Sequence, residues 1–184
     1  GNEFYNDIRL DYSTMPRANA EKNGVILSLL DYLEQTGESD KLLPYKYTPF
    51  DITVTDGALS FSYNAEFFET ARSAKYEKLA SELNIKEDAD AEAAAEVFMY
   101  RYGLTDKDGL LTVGAEDAAV LLYYRMDCEM CDFSDVSPYS FAADVSIEFI
   151  AKAREASLRG FTVYCRYSRT YNYPGYATHI LGRI

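Results

Sequence analysis

Asp56-Gly57 separates two short alternating runs, Ile52-Thr53-Val54-Thr55 and Ala58-Leu59-Ser60-Phe61-Ser62-Tyr63. Asp-Gly suits a tight primed turn, which needs positive φ at both central residues. The segment therefore reads as a β-hairpin, and an all-helical fold is excluded. Around it the apolar spacing is mostly helical. Val25, Ile26, Leu29, Leu30 and Leu33 form one stripe, opened by Ser13-Thr14-Met15-Pro16 and closed by Gly37. Residues 65–84 read as a second helix. Asp88 or Asp90 caps a third, which runs to Tyr102 and stops at Gly103. A fourth is expected at about 113–126. A fifth is expected from Ser137 as N-cap and Pro138 at the first turn to Gly160.

Residues 3–12 read as an edge strand or extended arm. The chain closes with strand 161–168, a Tyr173-Pro174-Gly175-Tyr176 turn and strand 176–183. No linker or low-complexity stretch divides the 184 residues. The expected class is α+β: one helix-dominated compact unit over 1–184 with a C-terminal β-hairpin over 161–184.

Hydrophobic residues make up 48% of the chain, enough for a real core, so wholesale disorder is excluded. Lys and Arg number 18 against 30 Asp and Glu, a net charge of −12. Binding duplex nucleic acid requires cations that neutralise phosphates, so that partner is not expected. No apolar run approaches the roughly 20 residues of a membrane span, so no transmembrane segment is expected. There is no Trp, but there are 17 Tyr and 10 Phe. Tyr joins a rigid apolar ring to a polar tip, which suits contact surfaces as well as cores.

Two segments resemble S-layer homology (SLH) repeats. The first runs Leu111-Thr112-Val113-Gly114-Ala115-Glu116 and on to Leu122-Tyr123-Tyr124-Arg125-Met126. After six intervening residues come Phe133-Ser134-Asp135-Val136 and the segment up to Gly160. The resemblance covers about residues 89–160. Val113 stands where the family has Arg, Phe141 stands near its usual Trp, and a Tyr-rich hairpin follows Gly160 in place of a further motif helix. The resemblance implies a bacterial cell-surface or extracellular protein, any signal peptide having been removed, that binds an anionic cell-wall polysaccharide or another surface protein. An acidic cytoplasmic domain is the alternative placement.

Residues 159–184 contain Arg159, Arg166, Arg169 and Arg183 and no acid. Arg offers planar paired donors for carboxylate or phosphate, and neighbouring Tyr rings can stack on sugars. Arg166, Arg169, Tyr171 and Tyr173 are therefore the expected binding residues. Docking of the hairpin onto the chain's own acidic helices is the alternative. Loop 103–112 is the second expected contact surface. Its Asp106-Lys107-Asp108-Gly109 reads as a polar turn, because a calcium loop in that register would place Leu104 and Ala115 at ligand positions.

Cys128, Cys131, Cys165 and His179 have the residue types of a Cys3His zinc site. A structural zinc domain is thus a third reading, and a disulfide with one thiol left over is the option for a secreted chain. Cys131 followed by His179 is also the chain order of papain-like or transglutaminase-like enzymes. There His179 would deprotonate Cys131, with Asp144 orienting the ring in a hydrolase or acyltransferase. The leading expectation remains a non-enzymatic, surface-exposed binding or interaction module without a cofactor.

Overall fold

The computed structural model describes residues 2–169. The architecture is α+β, with more helix than strand. Strand β1 (Asn2–Leu10) lies between β4 (Tyr139–Ala142) and β5 (Phe161–Arg169) in an antiparallel sheet of order β4-β1-β5. The pair β2 (Phe50–Thr55) and β3 (Ala58–Tyr63) forms a separate hairpin. Helices α1 (Asn19–Gln35), α2 (Ala65–Phe68), α3 (Ser73–Glu82), α4 (Ala91–Arg101), α5 (Ala115–Met130) and α6 (Ile147–Glu155) complete the described fold. Between α1 and β2 lies a single 3-10 turn, Ser39–Lys41.

The Asp56-Gly57 turn forms as expected, with φ of 50° and 76° and Thr55 opposite Ala58. Asp90 caps α4 by accepting from the Ala93 N–H at 2.8 Å. Gly103 ends it at φ 71°. An added Cβ there would lie 2.7 Å from the Asn19 Cβ, so Gly103 lets the ends of α4 and α1 meet closely.

Four expectations are corrected. Residues 3–12 were expected as an edge strand or arm, but β1 is the central strand of its sheet. The expected long helix 137–160 is instead strand β4 followed by the shorter α6. Ser146, not Ser137, caps α6, accepting from the Phe149 N–H at 3.1 Å. Phe141, Val145, Phe149 and Ala153 are all buried, so their spacing marked the core face across a strand, a turn and a helix. Ser13 and Thr14 do not open α1. Their hydroxyls donate to the Asp11 carboxylate at 2.8 and 3.1 Å, and the helix begins at Asn19. The 65–84 helix is broken into α2 and α3, with Asn64 capping α2. The second arm of the expected C-terminal hairpin lies outside the described residues.

A chain of rings joins the β2–β3 hairpin to the helices. Phe50 packs against Phe61, Tyr63, Tyr76 and Phe98, and Phe98 against Tyr102. On the other side of α5, Phe141 meets Tyr124. Amid this apolar packing, Asp127 is 1% exposed. Its Oδ1 accepts the backbone N–H groups of Tyr47 at 2.7 Å and Lys46 at 3.2 Å, and its Oδ2 accepts the Tyr139 hydroxyl. Burial, with Cys128 and Asp127 beside it, pushes the Tyr139 phenol well above its ordinary range, so it stays a donor. One carboxylate thus ties α5 to the 42–49 loop and to β4. Asp127→Ala would leave three donors without their acceptor, the buried Tyr139 hydroxyl among them, and we expect it to lower the unfolding free energy by about 3 kcal/mol. Urea denaturation checks this; a loss under about 1 kcal/mol would contradict it.

Candidate functional site

Three helices supply the walls of one groove. On α1, Asn19, Lys22, Asn23 and Ile26 share a face at helical spacing. On α5, Arg125, Cys128 and Glu129 do the same. The end of α4 contributes Arg101 and Tyr102. Across from them runs the segment after β1, with Tyr12, Met15 and Arg17. The groove measures about 850 Å³. Tyr12 and Phe133 meet edge to face at its rim, with centroids 5.4 Å apart.

Arg125 is the half-buried cation of this groove. Its Nη1 donates to Asn23 Oδ1 at 2.7 Å and to the Tyr102 carbonyl at 3.4 Å. Its Nη2 donates to Asn19 Oδ1 at 2.9 Å. The guanidinium also lies over the Tyr102 ring, 4.7 Å from its centroid. Every one of these partners is neutral. Among the described residues, no carboxylate lies at ion-pair distance from Arg125, and Nε–H and one Nη2–H have no acceptor. Burial pulls the guanidinium below its ordinary pKa, but Arg stays charged at any physiological pH.

Glu129 is the nearby acid, and it is already engaged. It accepts from Arg101 Nη2 at 2.6 Å and from the Tyr102 hydroxyl. That hydrogen bond and the Glu129 charge raise the Arg101 pKa. Lys22 has no ion-pair partner among the described residues. Burial, and then the Arg125 charge, pull its ammonium below the usual range. A chain of net charge −12 thus holds two neighbouring cations without a directly paired acid.

The expected hairpin residues fall elsewhere. Arg166 on β5 donates to Asp7 at 2.7 and 3.4 Å and lies over the Tyr5 ring at 4.7 Å. Arg169 ends β5 opposite Asn2. Tyr171 and Tyr173 lie outside the described residues. In loop 103–112, Asp106 accepts from the Asp108 and Leu110 N–H groups, which is the polar-turn reading. Thr112 does not cap α5; its hydroxyl donates to the Gly103 carbonyl at 2.6 Å.

The cysteines are described as free thiols. Cys128 is buried on α5, Cys131 closes that helix, and Cys165 is exposed on β5. His179 lies outside the described residues. Among the described residues no group of three or more His, Cys, Asp or Glu is placed to hold a metal. The Cys131 thiol contacts Asp127 Oδ1 at 3.7 Å, whereas Asp144 pairs with Lys41 at 3.2 Å. No hydrogen bond joins Cys131 to Asp144. Burial and the Asp127 charge push the Cys131 thiol up to about 11.

Comparison with known proteins finds no family model that matches the chain and no matching curated protein sequence.

Arg125 was visible in the sequence only as part of the SLH-like stretch, with no role assigned. The signal lay in two helical faces, Asn19 with Lys22 and Asn23, and Arg125 with Glu129. Their meeting depends on α1 lying across α5, which local spacing does not encode.

The thiol environments predict an order of alkylation. A raised pKa means less thiolate at neutral pH, so Cys131 should react more slowly than free cysteine, and its rate should climb with pH toward about 11. Exposed Cys165 should react first. Mass-resolved labelling at pH 7 checks this; Cys131 reacting faster than free cysteine would contradict it.

Proposed function

We propose that this protein is a non-enzymatic binding module that engages an anionic cell-wall polysaccharide at the bacterial surface, through the groove between α1 and α5. The observation that carries the reading is Arg125, a half-buried cation held by neutral oxygens alone, with N–H groups to spare. A buried charge normally has a partner of opposite sign. A bound anion would provide one. Tyr12 and Phe133 at the rim offer ring faces and edges of the kind sugars pack against.

The SLH-like stretch supports the same reading, since its Leu-Tyr-Arg-Met-like end supplies Arg125 itself. The expectation of a basic aromatic contact surface is kept, and its centre moves from the hairpin to the groove. Among the described residues no helix is long and apolar enough to cross a membrane. The Cys/His enzyme reading draws less support, because the Cys131 thiol is held protonated at neutral pH.

Co-sedimentation with purified sacculi, before and after their secondary polymers are stripped, tests the proposal. Binding should depend on the polymers. Arg125→Lys keeps the charge but loses the planar fork, and should weaken binding about tenfold. Arg166→Ala with Arg169→Ala is the rival surface. If that pair abolishes binding while Arg125→Lys leaves it intact in a folded protein, the groove is the wrong site. Absence of binding to the unstripped sacculi would overturn the proposal, as would binding that survives stripping undiminished.

A further inference from the structure

Lys22 and Arg125 face one groove, and neither has an acid at ion-pair distance among the described residues, although the Glu129 charge favours both from further off. Arg125 has Nε–H and one Nη2–H without an acceptor, and the Lys22 ammonium makes no hydrogen bond among the described residues. The other charges lining the groove are few. Arg101 and Glu129 neutralise each other at 2.6 Å, Arg17 adds a further cation, and Asp135 is an exposed rim acid. The balance inside is therefore cationic, in a chain that is acidic elsewhere. Such an arrangement works against folding, because two like charges are partly desolvated side by side. It persists where a ligand supplies the missing charge.

We infer that the anionic group seated between Lys22 and Arg125 is a phosphoryl group. The inference rests on the groove reading above and narrows its ligand. The donors decide the chemistry. Arg125 offers two N–H groups and Lys22 offers an ammonium as a third donor. A carboxylate brings one negative charge against two cations. A phosphate monoester brings up to two, enough to offset both, and its three terminal oxygens can take the guanidinium fork and the ammonium together. The Tyr102 ring beneath Arg125 keeps the guanidinium plane fixed, so little order is lost on binding. The group is therefore a phosphate monoester, carried either by a wall polymer or by a soluble phosphorylated compound.

Calorimetric titration of the full chain with inorganic phosphate, acetate, a polysaccharide bearing phosphate monoesters and polygalacturonate tests the inference. Phosphate should bind saturably at one site, at least about tenfold tighter than acetate at equal ionic strength. Lys22→Gln and Arg125→Lys should each weaken it by about tenfold. Lys22→Gln also removes the repulsion with Arg125, so its melting temperature should stay level or rise, whereas a lysine with a merely structural role would lower it. Tighter binding of the phosphorylated polysaccharide per phosphate assigns the polymer as the source; equal binding assigns a soluble compound. Acetate and polygalacturonate binding as well as their phosphate counterparts would overturn the phosphoryl assignment and leave the wall-polymer reading standing. Phosphate binding without sacculus binding would do the reverse. Unchanged phosphate affinity in folded Lys22→Gln would sink the inference outright.

Discussion

The fold turns on a carboxylate in its core. Asp127 lies in the last turn of α5, where the helix dipole disfavours negative charge, and it is nearly devoid of solvent. It is tolerated because two backbone N–H groups and a phenol converge on it. Those donors come from the 42–49 loop and from β4. Since β4 pairs with β1, and β1 with β5, the same carboxylate anchors the sheet to the helices. The ring packing of Phe50, Phe98 and Phe141 supplies the larger apolar contribution, but it is non-directional. Asp127 supplies the direction.

Two residues earlier on the same helix, Arg125 has the opposite situation. Its neutral partners keep it in place. Yet no acid meets it directly among the described residues, and Glu129, one helical turn on, is held by Arg101 and Tyr102. The buried ion of α5 is fully satisfied, and the half-buried one is left with donors to spare. That contrast separates a residue that holds the fold together from the one at which we propose a ligand.

Much of the local structure was legible in the residues. Asp56-Gly57 announced its hairpin, and Asp90 and Gly103 bounded α4, because those signals act within a few residues. The sheet was legible only in part: residues 3–12 and 161–168 read as strands and form β1 and β5, but neither their pairing nor β4 was legible. Tyr139–Ala142 is a strand because β1, more than 120 positions away, has an edge to pair with, and no local propensity records that. The hydroxyls of Ser13 and Thr14 looked like a helix start until Asp11 took them. The site suffered from the same limit. Its cations sit on two helices about 100 residues apart in sequence, and only the packing of α1 on α5 brings them together. The hairpin arginines drew attention because they are clustered in sequence, yet Arg166 is matched by Asp7.

The account stands or falls on whether the α1–α5 groove is where an anionic ligand sits. The most direct test follows the Arg125 Nε–H and the Asn19 and Asn23 side-chain amides by NMR while soluble wall-polymer fragments are added. The account predicts that these resonances shift first and saturate together, with β5 little affected. Shifts confined to Tyr164, Arg166 and their strand, with Arg125 unmoved, would contradict it.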